Sequence, residues 1–327
     1  NSSNILSGCN PAVLMISLFL TPCMWFQFDY FHALLVSNVL DSTYFYLEHT
    51  TNAAQPVVNY RPYNKFMAAN MFTFTPIKHV SLSFGNSVIY AEKTIQAAYL
   101  IPIAFYKSLD HLMTKGVRTQ NQNSQVFASL SVRPIDHLQL YGSFFLDEVK
   151  FARFKKSNPQ NNPISYLVGF NWSGWPIKGL SLKGEFMRSY IACYTHSIDV
   201  LDWSSNSYNM GHYMGDNAQS IYAELAYRPF RGALIKLSYT NDKKYNSYAY
   251  LRDNIGPTIS EKPFDHCIYS NDELRLDGIY EVHPNMFMTV SLGYNNAQGF
   301  DNIKANALPS EDLGDAQYYL DKFSPLF

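Results

Sequence analysis

Between Trp203 and Asn217 the chain sets aromatic rings beside amide, carboxylate and imidazole groups. Trp203, Tyr208, His212, Asp216 and Asn217 are the side chains there that could meet a polysaccharide. Apolar ring faces stack on the C–H surfaces of a sugar, while side-chain amides and carboxylates bind its hydroxyls. The same stretch also suits a loop folded on its own glycines and Asx turns, and the sequence leaves both readings open.

A second set is charged. Lys183, Glu185, Glu224, Lys236, Arg275, Asp277 and Glu281, with Arg228, fall on the polar side of alternating segments. They could line a conduit for a charged solute or neutralise one another. Their signs alternate instead of segregating, so a one-sign selectivity ladder is not indicated.

Catalytic chemistry has little support. The chain contains no Gly-x-Ser-x-Gly elbow, no His-Glu-x-x-His and no phosphate loop. Asp147 and Glu148 are neighbours on a strand, so they point to opposite faces and cannot work as a carboxylate pair. His196, Asp199, Asp202, His212 and Asp216 are metal-ligand types, but their spacing matches no ligand motif. No enzyme, metal or cofactor is expected. Net charge is −1, with basic residues spread thinly, so no nucleic-acid partner is expected.

The elements that must position these groups are strands. Apolar and polar residues alternate over 138–147, 221–228, 233–240, 273–282 and 288–295. Runs of about 10–12 residues exceed the usual globular strand and match a membrane-crossing one. Aromatic content is 16% and mean hydropathy is −0.18, with no run of the about 18 apolar residues that a spanning helix requires. Pro22, Pro76, Pro134, Pro176, Pro229 and Pro284 mark tight turns 42 to 58 residues apart. Short turns on one side and long loops on the other describe an up-and-down antiparallel β-barrel of the outer membrane, the turns periplasmic and the loops outside.

Twelve strands pair around those turns: 13–20 with 24–35, 65–75 with 80–91, 125–133 with 138–149, 164–174 with 180–191, 219–228 with 233–243, and 272–283 with 286–297. The loops are 36–63, 92–124, 150–163, 192–218 and 246–271. In the second, Ile95, Ala98, Tyr99, Phe105, Tyr106, Leu109, Leu112 and Met113 recur at helical spacing. This helical extracellular loop must fold inward as a lid or plug, clasp the rim, or dock a partner from the envelope. The polar tail after Asn296, with Pro309 and Pro325, does not read as a closing strand, so a single barrel domain over 1–327 is expected to be incomplete at one or both ends. Leu6-Ser7-Gly8-Cys9 looks like a lipoprotein box without the apolar segment that must precede one. Cys193 and Cys267 both fall on the long-loop side, where an oxidising compartment would permit a bridge and partly buried thiols are the plainer reading.

The run 170–180, with Phe170, Trp172, Trp175, Pro176 and Gly179, resembles the Wzi-type capsule-assembly outer-membrane proteins. So do Gly211-His212-Tyr213, Gly215-Asp216-Asn217, the turn 227–232, the run 69–76 and the segment 85–90. The resemblance spans roughly residues 60–245. It implies a barrel of about eighteen strands, closed to free diffusion, that binds or organises surface polysaccharide, with lipid, polysaccharide and envelope proteins as partners. No ligand residue carries over from it. A transport channel for a polar solute and a structural subunit of an envelope assembly are the alternatives.

Overall fold

The computed structural model describes residues 14–48, 57–109, 112, 122–147, 162–196, 198–206, 208–245, 264 and 267–299. The lipoprotein-like box, Met113, the loop 150–161 and the tail beyond 299 lie outside the described residues. In chain order the strands are β1 (Leu14–Cys23), β2 (Phe26–Leu35), β3 (Leu40–Glu48), β4 (Val57–Pro62), β5 (Lys65–Ile77), β6 (Val80–Ala91), β7 (Gln122–Ile135) and β8 (Leu138–Leu146). They continue as β9 (Ile164–Ser173), β10 (Leu180–Ser189), β11 (Ser204–Ser205), β12 (Tyr208–Asn209), β13 (Ala218–Tyr227), β14 (Ala233–Tyr245), β15 (Cys267–His283) and β16 (Met286–Gln298).

Twelve of them form one antiparallel sheet in the order β1-β2-β5-β6-β7-β8-β9-β10-β13-β14-β15-β16. These are the twelve strands expected from alternation. The sequence reading missed two hairpins inside long loops, β3–β4 and β11–β12, each a sheet of its own. Pro22 and Pro76 sit within strand ends, at register shifts between Leu20 and Cys23 and between Phe74 and Ile77. A bulge is where a residue without an N–H does least damage to the ladder. The reversals themselves use left-handed residues: His79, His137 and Asn285 have φ of 77°, 72° and 65°.

The chain divides into two compact units. One comprises Asn1–Ser129, Phe144–Glu148 and Tyr194–Tyr213; the other comprises Leu130–Ser143, Val149–Cys193 and Met214–Phe327. In the second unit the outward face is apolar throughout. Leu140, Val168, Leu182, Leu225, Leu237, Leu276 and Val290 are all exposed on one face, forming an apolar belt across β8 to β16. Exposed apolar side chains in such number are stable in lipid and costly in water.

In the first unit both faces of β2, β5 and β6 are covered toward the long-loop end. On the apolar face of β2, β5 and β6, the segment after β6 folds back. A 3₁₀ turn over Ala97–Leu100 and helical residues 106–109 bring Tyr99 and Tyr106 onto Phe28, Tyr30, Phe66, Val88 and Tyr90. Its far side leaves Leu100, Ile101, Ile103 and Phe105 exposed. The expected helical loop therefore clasps the apolar side of its own strands; it does not plug the polar side. Polar residues that would be anomalous on that face are its anchors. Asn70 Nδ2 donates to the carbonyls of Pro102 and Ala104, both at 2.8 Å. Tyr30 Oη donates to Tyr99 O at 3.1 Å.

The polar face of the same unit carries Lys65, Ser87, Asn123 and Gln125, all buried. The segment 194–213 covers it. Lys65 Nζ donates to Asp202 O at 2.7 Å, Asn123 Nδ2 to Leu201 O at 3.4 Å, and Val36 N to Ser205 Oγ at 3.1 Å.

Candidate functional site

Sheet register assembles the charged groups of the second unit. Lys183 lies opposite Glu224, and Lys236 opposite Asp277. Lys183 Nζ is 3.1 Å from Glu185, Lys236 Nζ 4.0 Å from Glu224 and 3.5 Å from Asp277, and Arg275 Nε 2.9 Å from Asp277. Period-two alternation places every member on one side, and antiparallel pairing lines them up across four strands.

Hydroxyls complete the network. Tyr141 Oη donates to Glu185 Oε1 at 2.6 Å, Ser291 Oγ to Asp277 Oδ1 at 2.6 Å, and Tyr222 Oη to Glu224 Oε2. Tyr141 reaches Glu185 across β9 because the residue facing Glu185 there is Gly169. A Cβ on Gly169 would lie 2.7 Å from the Tyr141 ring. The missing side chain in β9 is what lets a residue of β8 bond one of β10. Tyr141, Tyr222 and Ser291 were not singled out from the sequence, although a glycine between two polar positions is the signal that could have found Tyr141.

Six of the seven expected charges are thus ion-paired along one band, Lys183 with Glu185, and Glu224, Lys236, Asp277 and Arg275 in a chain. Glu281 stands apart at the turn, where it accepts from Asn285 N at 3.3 Å. Toward the short-turn end, a pocket of about 540 Å³ opens beside the band, lined by His137, Glu224, Arg228 and Lys236 among others.

The five residues expected to meet polysaccharide are placed differently. Trp203 is 1% exposed, packed on Phe145 at 5.0 Å between ring centres, and its N donates to Tyr194 O. His212 is 2% exposed and stacks on Tyr213 at 4.3 Å. Burial holds its imidazole well below the ordinary value, at about 3, so it is neutral. Gly211 before it leaves room for the Tyr194 ring, which a Cβ would approach to 2.4 Å.

Asp216 and Asn217 belong to the second unit and are buried there. Asp216 Oδ1 pairs with Lys244 Nζ at 2.7 Å, and its Oδ2 accepts from Ala192 N at 3.0 Å. Asn217 Oδ1 accepts from Phe264 N at 3.1 Å, and its own N donates to Tyr190 O. Of the five, Tyr208 alone is exposed, at 55%. The glycine, His212 and Asn217 positions that carry the resemblance thus shape loops. Lys244, which supplies the buried cation, was not flagged because a lysine in a charged strand end reads as solvated. Of the metal-ligand types, Asp202 Oδ1 accepts from His196 N at 2.6 Å and His196 Nδ1 from Ile198 N at 3.1 Å. Cys193 and Cys267 are not bridged to each other.

Beneath the covering segment lies Asp147, fully enclosed, with Oδ1 lacking a hydrogen-bond partner among the described residues. Burial pushes its carboxyl up to about 7; the charge of Asp202 adds to this, while Gln125, Asn123 and Lys107 oppose it.

No protein-family model and no curated protein matches the sequence. Solved structures do match. One is Wzi of Escherichia coli, described as an outer-membrane protein involved in group 1 capsule assembly and a carbohydrate-binding β-barrel. It aligns at TM-score 0.56 and 14% identity over 90% of this chain and 60% of that one. This chain therefore spans about 60% of that protein's length. Pseudomonas aeruginosa OprD aligns at TM-score 0.42 and 10% identity, covering 90% of this chain and 68% of that one. Acinetobacter baumannii OccAB3 aligns at 0.39 and 13%, covering 86% and 61%. The fold is that of the outer-membrane β-barrels, and with its apolar belt the chain is an integral protein of the outer membrane.

Proposed function

We propose that this chain is a barrel domain that binds or organises surface polysaccharide without catalysing a reaction. The observation that carries the reading is the segment 194–213, which is anchored across the polar face by Lys65, Asn123 and Val36 instead of leaving it open. A polar face covered by the chain's own loop suits a binding surface better than a conduit. The ion-paired band supports the same reading, because paired charges of both signs offer no one-sign lane for a solute. Likeness to a barrel described as carbohydrate-binding supports it from outside the chain. Among the residues expected at the contact, Tyr208 is the one whose ring is available to a sugar. Trp203 and His212 are buried within the segment that presents it, while Asp216 and Asn217 are bonded within the second unit.

The second reading, a channel for a polar solute, draws on the pocket beside His137, Arg228 and Lys236. Two measurements on the purified protein separate them. Retention on immobilised cell-surface polysaccharide, with no stable current in planar bilayers, is the expected result. A large, lasting open current without polysaccharide binding would overturn the proposal in favour of the channel.

A further inference from the structure

The hairpin β3–β4 lies in the first long loop, on the exterior side, outside the main sheet. Its strands put Phe45 opposite Tyr60 and Leu47 opposite Val58, so Tyr44 and Tyr46 share the other face. Tyr44 and Tyr46 are 53% and 50% exposed. Between them lies Arg61, its Cζ 5.1 Å from the Tyr44 ring centre and 5.6 Å from that of Tyr46, with Nη1 donating to Tyr44 Oη at 3.4 Å.

The guanidinium has no carboxylate among the described residues. The acid opposite it in register, Asp41, is engaged elsewhere, its Oδ1 accepting from Thr43 N at 2.8 Å and Thr43 Oγ1 at 2.6 Å. A guanidinium held in place by two rings keeps a planar fork of donors free for a carboxylate, with little rotamer freedom left to lose. Two neighbouring exposed rings offer the flat apolar surface that the C–H face of a pyranose covers.

We infer that Tyr44, Tyr46 and Arg61 form a subsite for a carboxylated sugar of an anionic polysaccharide, the rings stacking on the sugar and Arg61 pairing with its carboxylate. This rests on the polysaccharide-binding reading and names a charge class and a place for it. Both exposure and charge favour a glycan: a lipid surface would be met by apolar side chains, and this face offers a cation and two hydroxyls.

The test uses the whole chain in detergent, with polygalacturonate oligomers as the anionic probe, dextran as the neutral one, lipopolysaccharide micelles as the lipid-borne anion, and native cell-surface polysaccharide as reference. Because the hairpin is a sheet of its own, R61A, R61K and Y44A/Y46A are expected to fold, checked by unchanged heat-modifiable mobility. The expected result is polygalacturonate binding that weakens at least about tenfold in R61A and Y44A/Y46A, with partial retention in R61K and a lower salt dependence in R61A. Dextran binding should be the same in R61A as in wild type. Wild-type binding of native polysaccharide with unchanged affinity in all three variants would overturn the subsite and leave the general reading standing. Binding of native polysaccharide but not polygalacturonate would do the same. Variant-sensitive binding confined to lipopolysaccharide micelles would reassign the face to the lipid surface. No binding of any polysaccharide would overturn both readings.

Discussion

Asn86 Nδ2 donates to Asn70 Oδ1 at 2.7 Å, across two strands in direct register, on the face that also buries Phe66, Val88 and Tyr90. Neither amide is left over. Asn70 holds the carbonyls of Pro102 and Ala104, and Asn86 Oδ1 accepts from Tyr106 N at 2.7 Å. The pair is a socket for irregular backbone. A loop lying against lipid must have its amides and carbonyls satisfied by protein, since hydrocarbon offers none.

Replacing Asn86 by Leu keeps the volume and removes the socket. The buried Tyr106 N–H and Asn70 lose their partners, at about 1–3 kcal/mol for each orphaned group. The expected outcome is a lower Tm in detergent and faster proteolysis within 95–109, with the twelve-stranded sheet intact by circular dichroism. An unchanged cleavage rate would show that the aromatic contacts of Tyr99 and Tyr106 alone hold the clasp.

Lys244 and Asp216 are both buried, and each would be stranded by loss of the other. Removing one partner of such a pair costs about 3–5 kcal/mol, whereas removing both costs much less. Lys244→Met should lower the Tm strongly, and Lys244→Met with Asp216→Leu should recover part of the loss. A double variant no better than the single one would mean that the bond from Ala192 N to Asp216 is the dominant contact.

Two buried groups set the pH limits of the segment 194–213. Asp147 titrates near 7 in the fold against an ordinary 3.8, so the folded chain holds the extra proton, and stability falls as pH rises through that window. His212 titrates near 3 against an ordinary 6.5, so the unfolded chain binds the proton first, and stability falls as pH drops through that window. Asp147→Asn should raise the Tm at pH 8 and leave it unchanged at pH 4. His212→Gln should flatten the acid limb. Parallel pH profiles of wild type and Asp147→Asn would contradict the burial of that carboxyl.

Gly169→Val should force Tyr141 off Glu185, at about 1–3 kcal/mol for an overpacked site, and lower the Tm more than Tyr141→Phe, which removes one hydroxyl. Equal losses would mean that the ring finds another place on the face.

The strands and their sides were legible in the sequence because period-two alternation is a local property: which of Leu225 and Glu224 faces lipid follows from adjacency alone. The ion pairs Lys236–Asp277 and Lys236–Glu224 were half legible, as residue types on one face, since pairing also needs register. What the long loops do was not legible. Helical spacing over 95–113 announced an apolar surface to bury but not which face of the sheet would bury it, and Asn70 and Asn86, the residues that decide, lie far from it in sequence. Trp203 and His212 read either as recognition groups or as parts of a loop folded on itself; both are buried, Trp203 on Phe145 of a distant strand, because large rings gain most by leaving water. Arg61 lies in the loop 36–63, and only the pairing of β3 with β4 brings it between Tyr44 and Tyr46. Local pattern determined the barrel wall; contacts between distant segments decided which side chains remain free to bind anything.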